Sequence, residues 1–405
     1  MNRILIVGAG HAGGSAAALL HQYGHTGPIT LIGDEPYWPY QRPPLSKAWL
    51  KGEAGEDELQ LRPPSFYEER EIAVRRGASI VAIDREAKTV RLASGEQVPY
   101  DSLILATGAR ARLLPIPGAT LGGVLALRTA ADAEALKARL GPGRRLLVVG
   151  GGYIGLEAAA SARALGAQVT VVEREPRLLA RVAGEALSGF FHAYHVQRGV
   201  RFVLGASVAA LEGEDGQVRA ALLDHGERLP CDVALIGVGA IPNQELAQAA
   251  GLPCQDGVIV DGHARTADPA IYAIGDVTRR PLPLYGRDFR LESVPSALEQ
   301  AKQAAASLTR RPPPAPEVPW FWSDQYDLKL QIAGLPFDVD RLVVRGDPSS
   351  IRFAVFHLNG QVIQAVEAVN APAEFMGGRL LIGARKPVMI EKLADPTVSM
   401  KEVAA

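Results

Sequence analysis

The sequence predicts an α/β protein with two βαβ units and a separate α+β domain towards its C-terminal end. Three observations lead to this prediction. A pattern of apolar strand, glycine-rich turn, helix and second strand occurs twice, an acidic residue follows each second strand, and the pattern changes to alternating strands beyond residue 320. The repeated pattern indicates two Rossmann-like nucleotide-binding domains in one chain of 405 residues.

The first βαβ unit begins at the N-terminus. Residues 3–7 (RILIV) form an apolar run, GAGHAG follows at 8–13, and residues 29–32 (ITLI) form a second apolar run after a helical stretch. Asp34 ends this unit, where an acidic side chain can accept hydrogen bonds from ribose hydroxyls. We expect the start of the chain to be a buried strand rather than a signal peptide, because glycines break its apolar run at once.

The second unit repeats this order. Residues 145–149 (RLLVV) lead into GGGYIG at 150–155, and residues 168–172 (QVTVV) precede Glu173. A single G-x-G-x-x-G motif is weak evidence of a nucleotide site. Here each copy follows a strand and begins a helix, so its glycines allow a tight turn close to a pyrophosphate and the helix N-terminus offers N–H donors. Two such copies predict two dinucleotide sites.

Three more apolar strands end in turns of small residues. Residues 100–108 lie between the two units, and residues 234–243 and 271–277 follow them. Small residues at the end of a strand let a cofactor pass close to the backbone. This order predicts that the second unit is inserted into the first domain.

The C-terminal part differs in pattern. A proline-rich connector occupies residues 310–319. Beyond it, the apolar runs 351–358 and 361–366 flank Asn359-Gly360, a pair typical of a β-hairpin. We therefore predict a discontinuous first nucleotide-binding domain at 1–113 and 245–319, a second one at 114–244 and an α+β domain at 320–405.

Charge and cysteine content exclude several classes of function. The chain has 43 Lys and Arg against 44 Asp and Glu, so no excess of positive charge favours nucleic acid or an anionic membrane. No apolar stretch approaches the ~20 residues of a membrane span. Cys231 and Cys254 are too few for a disulfide framework or a cysteine-ligated metal cluster. We expect a cytoplasmic protein without a metal site, and we interpret His192 and His195 as surface or packing residues.

Taken together, the motifs resemble those of the ferredoxin reductases of the putidaredoxin reductase type. These flavoproteins serve bacterial haem monooxygenases and ring-hydroxylating dioxygenases, and their fold is glutathione-reductase-like. The resemblance covers nearly the whole chain in order. It rests on GAGHAG (8–13), PYQRPPLSK (39–47), LILATG (103–108), LRT (127–129), VVGGGYIGLE (148–157), YAIGDV (272–277), ESVPSALEQA (292–301) and PWFWSDQY (319–326).

The resemblance implies two cofactors. The first unit would bind FAD and the second NADH, with hydride passing from NADH to FAD and single electrons passing on to a [2Fe–2S] ferredoxin. The residues that we expect to bind FAD are Gly8, Gly10, Ala12, Gly13, Asp34, Arg42, Lys47, Val81, Arg128, Asp276, Val294 and Trp322. The other expected cofactor-binding residues are Gly150, Gly152, Tyr153, Ile154, Gly155 and Glu173 of the second unit, and Gly239 at the end of a later strand.

The resemblance also implies two catalytic residues. Two prolines fix the backbone of RPPLSK at 42–47, and Lys47 would project towards the flavin and pair with Glu157. An ammonium group near the reactive edge of a flavin favours its electron-rich states. In the same way, the helix that opens at Ser293-Val294 would direct the positive end of its dipole at the flavin.

Four assignments have alternatives. Lys47 fits a contact with the flavin or an ordinary surface position. Asp276 fits the ribityl hydroxyls of FAD or the N-cap of a helix. Trp322, in the cluster WFW at 320–322, fits a place near the flavin or ordinary packing of a domain core. Glu173 favours NADH because a carboxylate repels the 2′-phosphate of NADPH, whereas the neighbouring Arg174 could attract that phosphate.

The electron acceptor is predicted to lie outside the chain. Disulfide reductases of related fold carry a redox cysteine pair close after the first unit, and related oxidases carry one such cysteine, but the first cysteine here is Cys231. The resemblance implies a [2Fe–2S] ferredoxin that feeds an oxygenase. The alternatives are an NADH oxidase or diaphorase without a dedicated protein acceptor, and a redox-sensing flavoprotein akin to apoptosis-inducing factor.

Overall fold

A computed structural model describes residues 2–405, which form two compact units. Unit 1 contains the residues up to Arg42, Gly55–Arg110 and Ala240–Glu317. Unit 2 contains Pro43–Ala54, Ala111–Gly239 and Val318–Ala405. Each unit has its own parallel sheet, so the predicted fold class is confirmed. The three-domain boundaries given above stay a prediction.

Unit 1 is organised around a five-stranded parallel sheet. Its central strands are almost entirely apolar and buried, as expected of a parallel sheet with both faces covered. In sheet order, the strands are Ile271–Ala273, Ser102–Leu105, Ile4–Val7, Ile29–Ile32 and Ile72–Arg75.

The two faces of this sheet have different covers. Helices His11–Gln22 and Val294–Leu308 pack on the face that contains Ile4 and Ile6. The other face, with Leu5 and Val7, packs against smaller strands of the same unit. The smaller strands form three sheets. The first contains Ile80–Asp84, Thr89–Leu92 and Gln97–Pro99, and the second contains Val258–Ile259, Thr278–Leu282 and Arg287–Phe289. The third is the pair Ala109–Ala111 and Ala240–Pro242. Its short helices are Glu56–Leu59, Pro64–Glu68, Glu245–Ala249 and the 3-10 turn Pro283–Tyr285.

Unit 2 contains the second parallel sheet. Its strands, in sheet order, are Val200–Leu204, Gln168–Glu173, Arg145–Val149, Val233–Ile236 and Val124–Leu125. An antiparallel sheet covers the face with Leu147 and Val149, and its strands are Val208–Glu214, Gln217–Leu223 and Arg228–Pro230. Helices in this part of the unit are Pro43–Ser46 (3-10), Ala48–Lys51, Ala130–Lys137, Tyr153–Ala164 and Glu185–Gln197.

The C-terminal segment of unit 2 is an antiparallel sheet with two helices. In sheet order, its strands are Trp320–Gln325, Leu328–Gly334, Val362–Val369, Arg352–Asn359 and Arg341–Asp347, and its helices are Pro372–Ala384 and Ile390–Ala394. The predicted hairpin at Asn359-Gly360 is present, since Asn359 pairs with Val362 across the turn. Within unit 2, Leu330 and Phe353 of this sheet pack with Leu156 and Phe191 of the two long helices.

In the described range 2–405, none of the helices has both the length and the apolar character needed to cross a membrane.

Candidate functional site

The first glycine-rich loop joins strand Ile4–Val7 to helix His11–Gln22, and two of its glycines are required by close packing. Gly8 has φ +108°, and a Cβ there would lie 2.2 Å from the carbonyl oxygen of Ala106. A Cβ on Gly13 would lie 1.9 Å from the carbonyl oxygen of Gly8. Any side chain at these positions would separate the helix from the strand, which explains the first and last glycines of the motif.

Gly10 is a glycine for a different reason. A Cβ at this position would meet no atom closer than an Arg42 guanidinium nitrogen at 3.9 Å. Gly10 is the N-cap of the helix, no side chain caps it, and the first helical turn has no acidic residue. The backbone N–H groups of this turn are therefore open to an anionic ligand, which the helix dipole also favours.

The second loop repeats this geometry in unit 2. Gly150 has φ +107° and a Cβ there would lie 2.4 Å from the carbonyl oxygen of Gly237, while a Cβ on Gly155 would lie 2.4 Å from that of Gly150. At Gly152 a Cβ would meet nothing within 4 Å, and this glycine is again an N-cap without a side-chain bond. Both loops thus have an open middle glycine at a helix start, which fits the pyrophosphate of a dinucleotide such as FAD or NADH.

Near the first loop, Glu35, Tyr40 and Arg42 form a cluster of hydrogen-bonded side chains, of which the sequence predicted only Arg42. Asp34 is exposed just after strand Ile29–Ile32. Its neighbour Glu35, which was not singled out, accepts from Arg42 at 2.8 Å and from the hydroxyl of Tyr40 at 2.6 Å. Arg42 is thereby held beside Gly10. Glu35 directly follows the predicted Asp34, but no local pattern in the sequence marks it as the partner of Arg42.

Burial also affects the first residue of the helix. It lowers the pKa of His11, and the negative charge of Asp276 opposes this effect. The Nδ1 atom of His11 is buried and has no hydrogen-bond partner within the described part of the chain. A polar atom of this kind at the start of the helix is consistent with a ligand contact at this place.

Asp276 lies in a turn that packs on helix His11–Gln22. Gly275 has φ +83°, and a Cβ there would lie 2.9 Å from the Cβ of Ala12. Gln300 fixes the turn, because its Oε1 accepts from the N–H of Gly275 at 3.2 Å and the hydroxyl of Thr278 at 2.6 Å. A strand, Thr278–Leu282, follows, so the alternative of a helix N-cap at Asp276 is wrong.

In unit 2, Glu173 ends the strand Gln168–Glu173 and contacts the second loop. Its Oε2 accepts from the N–H of Gly151 at 2.6 Å and its Oε1 accepts from the N–H of Glu175 at 2.9 Å. The carboxylate therefore has a fixed position beside the open glycine Gly152. Arg174 turns away to an exposed ion pair with Glu175 at 3.0 Å.

Lys47 and Glu157 form a largely buried ion pair in unit 2, with 2.8 Å between Nζ and Oε2. The side chain of Glu157 is 5 % exposed and that of Lys47 is 19 % exposed. Glu157 accepts two more hydrogen bonds, from Ser46 Oγ at 2.5 Å and from Ser323 Oγ at 2.6 Å. Neither serine was singled out from the sequence, although both belong to motifs quoted above.

The segment that carries Lys47 is held by its own backbone. Pro43–Ser46 forms a 3-10 helix, and helix Ala48–Lys51 follows it. The hydroxyl of Ser161, one turn beyond Glu157, donates to the carbonyl of Ser46 at 2.7 Å, and the ammonium of Lys47 also donates to the carbonyl of Pro43 at 3.1 Å. The orientation of Lys47 is thus set by several bonds rather than by the ion pair alone.

The other named residues lie at several places in the two units. In unit 1, Val81 is 45 % exposed on strand Ile80–Asp84, and Val294 begins helix Val294–Leu308 behind the N-cap Ser293. In unit 2, Arg128 precedes helix Ala130–Lys137, Ile154 is 48 % exposed, and Gly239 is exposed.

Two aromatic residues named for the cofactors pack with neighbours in unit 2. Tyr153 meets Phe321 edge to face, with ring centroids 4.9 Å apart. Trp322 is half-buried, and its ring lies 5.7 Å from that of Trp320 at an angle of 34°. These contacts leave the two interpretations of Trp322 open.

The described residues contain no cluster of metal ligands and no activated thiol. Between residues 2 and 405 no three His, Cys, Asp or Glu side chains gather as a metal site would require. His195 is fully buried and packs in the core, whereas His192 is half-buried. Both cysteines are free, and burial raises the pKa of Cys231 to about 11 and raises that of Cys254. Both thiols are therefore poor nucleophiles near neutral pH.

Comparison with known proteins identifies the family. Residues 2–301 match the model described as pyridine nucleotide-disulphide oxidoreductase, and residues 320–404 match the reductase C-terminal model. A probable ferredoxin reductase of Castellaniella defragrans is 51 % identical over 99 % of this chain and 98 % of its own length. A rubredoxin–NAD(+) reductase of Pseudomonas putida is 42 % identical over 91 % of this chain and 96 % of its own length.

A solved structure agrees with these matches. The putidaredoxin reductase in its covalent complex with putidaredoxin superimposes with a TM-score of 0.97 at 41 % identity, over 99 % of this chain and 97 % of that chain. The resemblance seen in the sequence motifs is confirmed by these full-length matches. This chain belongs to the pyridine nucleotide-disulphide oxidoreductase family and, within it, to the ferredoxin reductases of the putidaredoxin reductase type.

Proposed function

We propose that this chain is an FAD-containing NADH:ferredoxin oxidoreductase that supplies single electrons to a [2Fe–2S] ferredoxin of a bacterial oxygenase system. The observation that carries the proposal is the pair of glycine-rich loops with open middle glycines, Gly10 and Gly152, each at an uncapped helix start. Two dinucleotide sites in one chain suit the transfer of reducing equivalents between two cofactors. The named relatives support ferredoxin as the acceptor.

The first loop and its neighbours would hold FAD. The N–H groups after Gly10 and the guanidinium of Arg42 would bind the pyrophosphate, and Asp34 would accept from the adenosine ribose. Asp276 would accept from the ribityl hydroxyls, which relieves the repulsion between its carboxylate and the phosphates. Val81, Arg128, Val294 and Trp322 stay proposed contacts of the same cofactor.

The second loop would hold NADH. The N–H groups after Gly152 would bind its pyrophosphate, with Tyr153, Ile154 and Gly155 in the same turn and Gly239 at the end of a neighbouring strand segment. Glu173 would accept from the ribose 2′-OH, and its charge would repel a 2′-phosphate. The turn of Arg174 towards Glu175 supports a preference for NADH over NADPH.

Lys47 and Glu157 would act beside the flavin, where the bound cofactor supplies hydride acceptance and single-electron release. The ammonium of Lys47 provides positive charge that is fixed before the reaction, so it stabilises electron-rich states without reorganisation. Glu157 keeps that ammonium in place through its 2.8 Å contact. The remaining contribution of the protein is alignment, since no acid–base pair is needed for hydride transfer between the two rings.

The cysteines support an acceptor outside the chain. The first cysteine, Cys231, is buried and has a raised pKa, so a thiol relay has no nucleophile here. Two free cysteines also fit a cytoplasmic location, which we propose for this protein.

Stopped-flow mixing of the purified flavoprotein with NADH tests the proposal. We expect rapid bleaching of the flavin absorbance, followed by multiple turnovers when an oxidised [2Fe–2S] ferredoxin is added. A rubredoxin added in place of the ferredoxin serves as the comparison acceptor, because one relative is a rubredoxin reductase.

The other outcomes distinguish the alternatives. Turnover with oxygen or dyes that no iron–sulfur protein accelerates would indicate an NADH oxidase or diaphorase. Slow reduction with a long-lived charge-transfer absorbance would indicate a redox sensor akin to apoptosis-inducing factor. Faster turnover with rubredoxin than with every ferredoxin tested would refute ferredoxin as the acceptor. It would not affect the proposed reduction of the flavin by NADH.

A further inference from the structure

A continuous line of hydrogen bonds runs through unit 2 from Glu157 to a buried histidine. Ser323 Oγ lies 2.6 Å from Glu157 Oε1, Gln325 Nε2 lies 3.1 Å from Ser323 Oγ, and Gln325 Oε1 lies 2.8 Å from His195 Nε2. Ser323 and Gln325 are alternate residues of strand Trp320–Gln325, and His195 belongs to helix Glu185–Gln197. We call Ser323, Gln325 and His195 the support chain.

The donors of the support chain all point towards Glu157. A carboxylate paired with Lys47 can only accept, so Ser323 must give it its single proton. The hydroxyl oxygen of Ser323 then accepts from the amide nitrogen of Gln325, which leaves the amide oxygen to accept from His195. His195 must therefore carry its proton on Nε2.

The support chain is buried and closely packed. Ser323 and Gln325 are each 1 % exposed, and His195 is 0 % exposed. The rings of Tyr326 and Phe202 stand edge-on to the imidazole at 5.0 and 6.1 Å. Burial, with a smaller contribution from the charges of Arg198 and His192, lowers the pKa of His195 to about 4 against the opposing hydrogen bond with Gln325, so the ring is neutral at pH 7. In such surroundings a missing partner costs more than it would at the surface.

We infer that Ser323, Gln325 and His195 are positioning residues that hold one oxygen of Glu157, so that its other oxygen stays on the ammonium of Lys47. This inference rests on the proposed role of Lys47 and Glu157 beside the flavin. The two oxygens have separate partners: Oε2 accepts from Lys47 and Ser46, whereas Oε1 accepts from Ser323. Loss of the Ser323 bond leaves Oε1 buried without a donor, and rotation of the carboxylate then moves the partner of Lys47.

The side chains of the support chain can be replaced with matched controls. Ser323→Ala removes the direct donor. His195→Leu removes the distal donor at similar volume, whereas His195→Gln keeps an amide N–H near the position of Nε2. His192→Leu changes the histidine one turn earlier on the same helix, which has no place in the chain of bonds.

The test uses the FAD-loaded full-length protein and three measurements. ¹⁵N NMR of histidine side chains should show His195 as the neutral Nε2–H tautomer at pH 7 in the wild type. Ser323→Ala and His195→Leu should shift the flavin midpoint potential and slow flavin reduction by NADH about tenfold, the effect of one lost bond to a charged group. His195→Gln should reduce within about threefold of the wild type, and His192→Leu should match it.

Three results would overturn the inference. The first is an NMR spectrum that shows His195 charged or as the neutral Nδ1–H tautomer. The second is a wild-type midpoint potential and reduction rate in Ser323→Ala. The third is an equal defect in His195→Gln and His195→Leu. If His195→Leu does not fold, Ser323→Ala and His195→Gln still decide between the outcomes. If NADH fails to reduce the flavin of the wild type, the proposed function is refuted instead. The NMR measurement would then still test the hydrogen bonds of the support chain.

Discussion

Lys47 and Glu157 stand 110 positions apart in the sequence, yet Nζ and Oε2 are 2.8 Å apart in an ion pair of which little is exposed. The pair forms because the segment that carries Lys47 is held on helix Tyr153–Ala164, where the hydroxyl of Ser161 donates to the carbonyl of Ser46 at 2.7 Å. The carboxylate accepts from Ser46, Lys47 and Ser323, so the ammonium is directed at a partner that is itself fixed. Such a fixed charge is suited to electrostatic stabilisation.

Replacement of Lys47 by alanine tests the role of this charge. We expect Lys47→Ala to retain FAD, judged by its absorbance spectrum, but to be reduced by NADH at least about tenfold more slowly, because the positive charge beside the flavin is lost. Stopped-flow absorbance at the flavin band measures the rate. Lys51→Ala is the matched control, since Lys51 forms a partly exposed pair with Glu53 in the same segment. Equal rates in Lys47→Ala and the wild type would refute the role of Lys47.

The two kinds of glycine in the second loop give a prediction that separates binding from folding. A Cβ at Gly152 meets nothing within 4 Å and φ at this residue is −82°, so Gly152→Ala should leave the thermal midpoint and FAD content unchanged. The added methyl group would occupy the space of the pyrophosphate, and the Kd for NADH should rise about tenfold or more.

Gly155→Ala is the contrasting variant. Its Cβ would lie 2.4 Å from the carbonyl oxygen of Gly150, so helix and strand must separate and the thermal midpoint should fall by several degrees. Thermal melts and NADH titrations of the two variants side by side check both expectations. A normal Kd in Gly152→Ala would show that NADH does not approach this glycine.

Much of the fold could be predicted because its signals are local. The strand runs before Gly8 and Gly150, and the hairpin at Asn359-Gly360, depend on apolar pattern and turn residues close in sequence, and all are present in the structure. Asp276 shows the limit, because an aspartate after a glycine turn is compatible with a helix or a strand, and here a strand follows.

The support of the site could not be predicted in the same way. Ser46, Ser323 and Gln325 have no local pattern that sets them apart from other polar residues, and their meaning depends on contacts across more than 100 positions of the chain. The sequence predicts a surface or a packing residue at His195, and the structure places it in the interior. Its hydrogen bond to Gln325 appears only once helix and strand are in place.

Glu173 predicts the choice of nicotinamide cofactor. Its carboxylate has a fixed position from the N–H groups of Gly151 and Glu175, so it cannot turn away easily from a 2′-phosphate. The wild type should prefer NADH over NADPH by at least about tenfold in kcat/KM, or about 1.4 kcal/mol. Glu173→Gln should reduce this preference several-fold, mainly by improving NADPH.

Steady-state assays with both cofactors and a saturating acceptor measure the preference. Glu175→Gln is the control, because Glu175 pairs with exposed Arg174 and offers only its backbone N–H to Glu173. Equal efficiency with NADH and NADPH in the wild type would remove the assignment of Glu173 as the discriminating residue.

His195 predicts how stability depends on pH. Burial lowers its pKa from 6.5 to about 4 in the folded protein, whereas the unfolded chain has the ordinary value. Between these two values the unfolded state binds a proton that the folded state does not, so the free energy of unfolding should fall as the pH decreases from about 6.5 to 4, by a total of about 3 kcal/mol. Above pH 6.5 this residue contributes no pH dependence.

The His195→Gln variant isolates that contribution, because glutamine keeps a donor for Gln325 but does not titrate. Urea unfolding followed at several pH values between 4 and 8 should show a smaller loss of stability for His195→Gln than for the wild type. Burial also lowers the pKa of His11 and His25, but both remain in the two proteins and cancel in the difference. Parallel curves for the wild type and His195→Gln would mean that His195 accepts a proton in the folded protein as readily as in the unfolded chain, contrary to its buried, uncharged role.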